Sequence, residues 1–382
     1  AINVYVIGLG PVGRQVIRDL QLLNNLHCQN YQVDFRIVGV FDRTGSVISK
    51  QTDLALSSEV VQSILSWKEN GASLADHTNG SGSTIDVLSS MLGANTTIID
   101  VSASNDTIPV LLNGIQTGST VVLANKKPIS CRWSTYDAMV QGPGILGIES
   151  TVGAGTPIIA CLDRLLAAGD RIDAIEGVLS GTLGYIATEL EKGNSYSDSI
   201  KSAHTLGFTE PDPRDDLSGT DVARKALILA RRCGVKNLHM ENIAIESLFP
   251  NILQGITTTD FLKETSSLDD GFRQKIVNAQ NQGTVLRYVA RIEFDWGMHE
   301  YKSTPEAKVS VGLVPVPSSS PFYSLTGTDN LVSFTTRTYS DSPLVVRGKG
   351  AGVEVTSNGV IADMVTCARS CSMPNGEVHR HD

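Results

Sequence analysis

The sequence predicts an α/β protein in which a doubly wound parallel sheet is followed by a second domain of α+β type. Three observations carry this prediction. A strand-like segment at residues 2–7 runs into the glycine motif GLGPVG and then into a helical pattern. Short apolar strands alternate with helices up to about residue 150, the pattern of parallel sheets with right-handed crossovers. After residue 151 helices come first, and short strands joined by turn residues follow.

Apolar segments place the elements of the first domain in order. Residues 2–7 alternate too little between apolar and polar side chains for a half-exposed strand, so we expect a strand buried on both faces. The polar segment at 44–83 predicts one or two helices with long loops. The remaining predictions are a helix to about residue 23, strands at 33–42, 97–102, 120–123 and 145–148, and a helix at 108–115.

The second domain is predicted to begin with helices and to end with strands that include antiparallel pairs. A glycine-rich turn at 343–352 then leads into an apolar helix at 353–371, so we expect the chain to return to the first domain. The expected domains are 1–150 with 343–375, and 151–342. The predicted elements of the second domain are helices at 157–168, 184–192, 198–206 and 218–233, and strands at 172–179, 284–294, 308–314 and 330–338.

Composition narrows the class of protein. The chain has 382 residues, 41% of them hydrophobic and 19% charged, which fits a soluble globular protein of two domains. Its net charge of -9 argues against nucleic-acid binding and against attraction to anionic membranes. No apolar run reaches the roughly 20 residues of a membrane span, and the six scattered cysteines indicate reduced thiols. We expect a cytoplasmic protein, and a cleaved organellar leader stays open.

The GLGPVG motif lies between a strand and a helix, which is the context of a dinucleotide-binding turn. Gly8 permits the tight turn, Gly10 lets the backbone approach a pyrophosphate, and Gly13 lets the helix pack on the strand. The phosphates would lie at the helix N-terminus, where N–H groups and the helix dipole favour anions. A glycine-rich turn without a ligand is the competing interpretation. We therefore predict a Rossmann domain that binds NAD or NADP.

The residues that end the strands of this domain bear on the choice of cofactor. Asp42 ends the second strand, where a carboxylate would bond the ribose hydroxyls and favour NAD. Arg43 follows directly and could instead meet a 2′-phosphate, so the choice between NAD and NADP stays open. Val12, inside the motif, and Ser102, at the end of another strand, are also assigned to the cofactor site.

Two further loops carry candidate ligands. ANKKP, at 124–128, follows a strand whose carboxyl end would face the ligand, and Lys126 and Lys127 compete for that contact. Both could instead be surface lysines. In GIESTVGAGTP, at 147–157, Glu149 stands beside a turn of small residues. One carboxylate with several backbone carbonyls suits a hard cation, and an interdomain hinge explains the glycines equally well.

The stretch FTEPDPRDDLSGTDVARK, at 208–225, is the candidate for substrate contacts. Pro211 and Pro213 predict that its first half is not helical. Its second half is predicted to be helical, which puts Asp221 and Lys225 on one face at i and i+4. A carboxylate beside an amine, next to a rigid acidic loop, suits a site that holds an amino acid and moves a proton. A solvated acidic helix N-terminus is the alternative.

Together these motifs resemble the homoserine dehydrogenase family. The resemblance implies a Rossmann domain, a dimerisation segment and an α+β substrate domain. It also implies a homodimer that interconverts L-homoserine and L-aspartate 4-semialdehyde with NAD(P), on the route to threonine, methionine and isoleucine. The matching segments occur in the family's order over nearly the whole chain: GLGPVG at 8–13, ANKKP at 124–128, ESTVGAGTP at 149–157, GVLSGTLGYI at 177–186, GFTEPDPRDDLSGTDVARK at 207–225 and GKGAG at 348–352.

The resemblance implies roles for individual residues. Lys225 is expected to exchange the proton on the C4 oxygen of the substrate, and Lys126 to reach the substrate and the nicotinamide. Glu210 is expected to hold the amino acid, with Asp221 alongside, and Asp216 is a candidate for the other end of the substrate. The resemblance also implies a sodium site formed by Glu149 and the carbonyls of Val152, Ala154 and Thr156. It further implies that Gly352 contacts the cofactor.

Other classes of protein fit the residues less well. An aldehyde dehydrogenase that phosphorylates a semialdehyde needs an activated cysteine, and no cysteine lies in such a pattern. A nucleotide-sensing module without catalysis leaves the acidic stretch without a purpose. With no kinase domain expected in front and no sizeable regulatory domain after residue 352, the chain resembles the short, monofunctional branch of the family.

Overall fold

The computed structural model describes residues 1–50, 54–82, 85–297 and 304–371. It consists of two compact units, Ala1–Gly155 with the chain from Gly352 onward, and Thr156–Ala351. The expected boundaries at 150 and 343 both lie earlier in the chain. The second differs because the segment after residue 343 pairs as a strand in the sheet of the second unit. The end of the expected segment 343–375, from residue 372, lies outside the described residues.

The first unit contains a mostly parallel sheet. Its strands are β1 (Ile2–Ile7), β2 (Phe35–Asp42), β3 (Gly45–Ile48), β4 (Thr96–Asp100), β5 (Thr120–Leu123) and β6 (Ile145–Gly147). Its helices in this part of the chain are α1 (Pro11–Tyr31), α2 (Ser58–Glu69), α3 (Ile108–Gln116), α4 (Lys127–Ser130) and α5 (Trp133–Gln141). The strand order is β3-β2-β1-β4-β5-β6, with β3 alone among them antiparallel to its neighbour. This is the Rossmann order, so the predicted fold class is confirmed.

The side chains at the centre of this sheet are buried. Val4 and Val6 of β1 are fully buried, as the uninterrupted apolar sequence of that strand predicts. Val16 and Ile17 of α1 are buried in the same core. The crossover from β1 through α1 therefore carries the glycine turn to the carboxyl edge of the sheet, where ligands of such folds bind.

The second unit has a mixed sheet in the order β12-β11-β7-β9-β10-β8. Neighbouring strands are antiparallel except β8 and β10, and α7, α10 and α12 pack against β9. The helices are α6 (Ile158–Ala167), α7 (Gly181–Glu191), α8 (Tyr196–Thr205), α9 (Pro213–Leu217), α10 (Thr220–Arg232), α11 (Thr258–Glu264) and α12 (Asp269–Asn281). The strands are β7 (Ile172–Val178), β8 (Ala244–Ile245), β9 (Thr284–Asp295), β10 (Glu306–Pro317), β11 (Asp329–Thr336) and β12 (Leu344–Lys349).

The apolar helix predicted at 353–371 is present as α13 (Val353–Cys371) and packs against α1 in the first unit. Val360 and Met364 are fully buried in the core that β1 and α1 share. The first unit is therefore built from two distant parts of the sequence. Within the described residues, no helix is both long and apolar enough to cross a membrane.

One local prediction is incomplete and another is wrong. The segment 44–83 has a helix as predicted, α2, but it also contains β3, which forms because Val47 pairs with Val40 of β2 and buries its side chain, a tertiary effect on a polar sequence. The first half of the acidic stretch contains α9, although Pro213 was expected to prevent a helix. Pro213 takes the first helical position, where no N–H is needed. The Asp212 side chain caps the helix by accepting a hydrogen bond from the N–H of Arg214.

Candidate functional site

The GLGPVG turn lines a cavity of about 790 Å³ in the first unit. Gly8 has a φ of +99°, and a Cβ on it would lie 2.9 Å from the Ser102 nitrogen. A Cβ on Gly13 would lie 1.9 Å from the Gly8 carbonyl oxygen. Gly10 differs, because a Cβ there would meet no protein atom within 4 Å. Packing therefore requires glycine at 8 and 13, whereas glycine at 10 fits a group that approaches from the cavity.

The same turn opens α1 in a way that suits an anion. Gly10 is the N-cap residue, and no side chain caps the helix there. The first turn of α1 carries no acidic residue, so nothing opposes the positive end of the helix dipole. The first N–H groups of a helix have no partner within it, and they can bind a pyrophosphate.

Asp42 lies at the rim of this cavity with Arg43, Thr44 and Lys68. Its Oδ1 accepts hydrogen bonds from the Thr44 N–H at 2.7 Å, the Thr44 hydroxyl at 2.6 Å and the Gly45 N–H at 3.2 Å. Its Oδ2 pairs with Lys68 Nζ at 2.7 Å. Burial raises the pKa of Asp42, but the bonds from Lys68 and Thr44 outweigh it and lower that pKa below its usual value. Both oxygens are thus engaged within the protein.

A buried carboxylate, Asp100, organises the next two loops of the first unit. Its Oδ1 accepts the Ser102 N–H at 2.9 Å, and its Oδ2 accepts the Thr107 hydroxyl at 2.7 Å and the Asn125 amide at 2.9 Å. Asn125 also donates to the Ser104 carbonyl at 2.8 Å. Asp100 therefore fixes the loop of Ser102, which lines the cavity, and the start of the loop that carries Lys126.

Lys225 is buried near the middle of α10, with 8% of its surface exposed. Its Nζ donates to the Leu179 carbonyl at 2.6 Å and pairs with Asp221 Oδ2 at 2.9 Å. The pair has the i, i+4 spacing expected from the sequence. Because an ammonium has three N–H groups, two of them used here, the third can serve a ligand. The Asp221 carboxylate is partly exposed, so it orients the ammonium without sealing it off.

Asp216 holds the loop that carries Glu210. Its Oδ2 accepts the Glu210 N–H at 2.8 Å, and its Oδ1 lies 3.0 Å from the Thr182 hydroxyl. The same hydroxyl donates to the Phe208 carbonyl at 2.6 Å. Burial raises the pKa of Asp216, although the bonds from Glu210 and Thr182 oppose the rise. The Glu210 side chain is exposed, so the loop presents it to solvent from a fixed backbone.

Arg214 fixes the loop that carries Glu210 to the backbone of residues 253–256. Its Nη1 donates to the carbonyls of Leu253, Gln254 and Ile256 at 3.0, 2.9 and 2.7 Å. Its Nε and Nη2 donate to the Asp212 carboxylate. Sequence reasoning left Arg214 and Asp212 without a role, and the structure gives both a structural one.

The turn after Glu149 has an unusual backbone. Glu149 is 5% exposed, and its N–H donates to Asp363 Oδ2 at 2.8 Å. Gly153 and Ala154 both have left-handed φ angles, +80° and +58°, and a non-glycine residue in this region is uncommon. A buried carboxylate beside a tightly turned backbone fits an oxygen-liganded cation. Within the described ranges, no three His, Cys, Asp or Glu side chains form a metal cluster, so such a cation would depend on carbonyls.

Comparison with known proteins identifies the family. Residues 157–365 match the family model for homoserine dehydrogenase. A homoserine dehydrogenase of Saccharomyces cerevisiae is 32% identical over 379 residues, which cover 96% of this chain and 98% of that protein. The chain belongs to the homoserine dehydrogenase family. A solved structure, a hyperthermophilic archaeal homoserine dehydrogenase in complex with NADPH, has the same fold, with a TM-score of 0.69 and 20% identity over 97% of this chain and 98% of that one.

Other relatives in the homoserine dehydrogenase family are longer. The bifunctional aspartokinase/homoserine dehydrogenase 1 of Zea mays, a chloroplastic protein, is 34% identical over 377 residues. The match covers 97% of this chain but 39% of the maize protein. The chain thus spans about two fifths of the length of such relatives.

The structure distributes the predicted site residues over its two units. Gly8, Gly10, Asp42, Arg43 and Ser102 line one cavity of the first unit. The other predicted residues of this unit are Val12, which packs against its core, Lys126 at the start of α4, Gly352 before α13, and Glu149, Val152 and Ala154 in the turn. The second unit holds Thr156, Glu210, Asp216, Asp221 and Lys225.

Sequence reasoning missed Lys68, Asp100 and Thr182. Lys68 lies on α2, within the polar segment 44–83, where the sequence pattern does not indicate the bounds of individual elements. Asp100 is the last residue of an apolar strand, a position where an acidic side chain could have been noticed. Thr182 lies in GVLSGTLGYI, a segment that resembles the family but whose residue types point to no particular contact.

Proposed function

We propose that this protein interconverts L-homoserine and L-aspartate 4-semialdehyde with NAD(P), a step in the synthesis of threonine, methionine and isoleucine. The observation that carries the proposal is the buried Lys225 ammonium, held by Asp221 and the Leu179 carbonyl with one N–H left for a ligand. The family match over residues 157–365 includes this lysine.

The residues of the second unit manage the amino acid and its proton. Glu210 binds the substrate ammonium through a charge-assisted contact, which selects amino acids over plain alcohols. During reduction the Lys225 ammonium gives a proton to the C4 oxygen, and during oxidation the neutral amine of Lys225 takes that proton back from the C4 hydroxyl. Asp221 keeps the amine oriented. Asp216 holds the loop of Glu210 through the Glu210 N–H and Thr182, and it stays the candidate for the other end of the substrate.

The residues of the first unit hold the dinucleotide. The N-terminus of α1 with Gly8, Gly10, Val12 and Gly13 takes the pyrophosphate, and Ser102 and Gly352 give further contacts. When bound, the nicotinamide supplies the hydride chemistry. Lys126 stays the predicted contact to the nicotinamide and substrate.

We infer a preference for NADP within this function. Arg43 is exposed at the cavity rim, and Lys68 lies there with its charge close to Asp42. Two cations beside one engaged carboxylate favour a 2′-phosphate over a free ribose hydroxyl. The archaeal relative of the same fold contains NADPH, which is consistent with this preference.

A sodium ion at the turn after Glu149 is also proposed. The buried Glu149 carboxylate and the carbonyls of Val152, Ala154 and Thr156 would hold it, and the left-handed backbone at Ala154 supports the idea. Its role would be to stabilise the turn. The homodimer and the cytoplasmic location also remain proposals, and sedimentation of the purified protein tests the first.

One assay separates the proposal from a nucleotide-sensing module. Purified protein is mixed with L-homoserine and either NADP or NAD at alkaline pH, and nicotinamide absorbance is followed. We expect reduction of the cofactor. The variant Lys225→Ala should lose turnover and keep cofactor binding, whereas Lys201→Ala, an exposed lysine of the same unit, should keep both. Cofactor binding without turnover on homoserine or the semialdehyde would contradict the enzyme and favour the sensing module.

A further inference from the structure

We propose that Thr44 and Asp42 act as positioning residues for Lys68, and that this arrangement selects a 2′-phosphorylated dinucleotide. The proposal rests on the NAD(P) function above and deepens it. It assigns Asp42 a role opposite to the one expected from the sequence, where a carboxylate at this position favours NAD.

A chain of hydrogen bonds fixes the Thr44 hydroxyl. The Leu74 N–H donates to Thr44 Oγ1 at 2.8 Å. The Thr44 hydroxyl in turn donates to Asp42 Oδ1 at 2.6 Å. With its oxygen accepting on one side and its proton donating on the other, the hydroxyl links the loop after β2 to the turn after α2. This series of hydrogen bonds, which starts at the Leu74 N–H, sets the orientation of the Asp42 carboxylate.

Lys68 is held by two acceptors. Its Nζ donates to the Ala72 carbonyl at 2.7 Å and pairs with Asp42 Oδ2 at 2.7 Å. The side chain is 14% exposed and lines the cavity. A neighbouring bond, from Trp67 Nε1 to the Ser73 carbonyl at 2.7 Å, fixes the turn that supplies Ala72. The ammonium therefore cannot swing freely into water, and its remaining N–H is available in a fixed place.

The charges at this rim then favour a phosphate. The Asp42 carboxylate would repel a 2′-phosphate if it stood alone. Lys68 neutralises it at contact distance, and the exposed Arg43 adds a second positive charge next to Asp42. A ribose hydroxyl that reached this carboxylate would share Oδ2 with Lys68, because Oδ1 already accepts three bonds from Thr44 and Gly45. Asp42 thus supports the phosphate contact and offers little to NAD.

Calorimetry with two nucleotide probes tests the positioning role. Adenosine 2′,5′-bisphosphate carries the 2′-phosphate, and AMP lacks it. We expect Thr44→Val to weaken binding of the bisphosphate about tenfold, since a bond to a charged group is lost, and to change AMP binding by less than about twofold. Thr44→Ser keeps the hydroxyl and should retain wild-type affinity. Thr44→Ala replaces the valine variant if thermal unfolding shows that the latter does not fold.

The variant Lys68→Met distinguishes the possible failures. If it weakens bisphosphate binding while Thr44→Val and Thr44→Ala do not, the positioning role is overturned and the NADP preference stands. If it leaves bisphosphate binding unchanged, the phosphate site itself is wrong and the inference falls with it. Equal losses for both probes in Thr44→Val would also overturn it, because a merely structural threonine gives that result. Homoserine oxidation with NAD, measured on the same variants, shows whether the wider function holds.

Discussion

Replacing Arg214 with methionine should destabilise the second unit and weaken homoserine binding. The Arg214 guanidinium donates to three carbonyls, those of Leu253, Gln254 and Ile256, and 8% of the residue is exposed. Losing buried bonds from a charged donor costs about 1.5–3 kcal/mol each. Water can reach part of this loop, so we expect a total loss of about 3 kcal/mol. The freed Asp212 carboxylate is a third exposed and adds little.

Urea unfolding of wild type and variant, compared at constant m-value, measures this loss. Arg273→Met is the matched control, because Arg273 pairs with Asp270 where both side chains are mostly exposed, and it should leave the midpoint nearly unchanged. In the Arg214 variant KM for homoserine should rise more than kcat falls, since Glu210 lies on the loop that Arg214 anchors. A midpoint shift no larger than that of the Arg273 control would refute this account of the loop.

Three other predictions follow from the two units. Glu210→Gln should raise KM for homoserine with little effect on cofactor binding, as steady-state kinetics would show; an effect confined to kcat would argue against its role as the ammonium contact. Gly10→Ala should weaken NADP binding without lowering the thermal midpoint of unfolding. Gly13→Ala should lower that midpoint, because a Cβ there meets the Gly8 carbonyl oxygen. A lower midpoint for Gly10→Ala with unchanged NADP binding would show that the turn has no ligand. Because the pKa of Asp42 is lowered in the folded state, its stabilising contribution is present above the unfolded value of about 4 and is lost as pH falls through the lower folded value. Acid titration of unfolding should therefore be shallower for Asp42→Asn, and identical acid limbs would contradict the ion pair with Lys68.

Much of the fold could be predicted because local pattern and tertiary structure agree. β5 was placed at its observed bounds, and α13 also has the predicted ones. Both are apolar segments whose length and spacing of apolar residues indicate the type of element, a short strand for β5 and a helix for α13. β3 and α9 could not be found in this way. β3 depends on pairing with β2, and α9 depends on a cap from Asp212 and on the three carbonyls that hold Arg214.

The candidate site divides in the same manner. The spacing of Asp221 and Lys225 follows from helix geometry alone, and the structure has the expected contact. Asp42 shows the limit of such reasoning. Its position at the end of β2 was predicted, yet its oxygens are engaged by Thr44 and by Lys68 from a separate helix. No spacing rule could supply a partner from a segment without a recognisable motif.

The sequence by itself determined the alternation of parallel strands and helices in the first unit, the glycine turn and the family resemblance, because each is encoded in residues close together in the chain. Only the tertiary structure decided which carboxylates are hydrogen-bonded to distant parts of the chain. Asp42, Asp100 and Asp216 are carboxylates of this kind. Their oxygens have partners on other helices and loops, and such pairings depend on distances that folding alone creates.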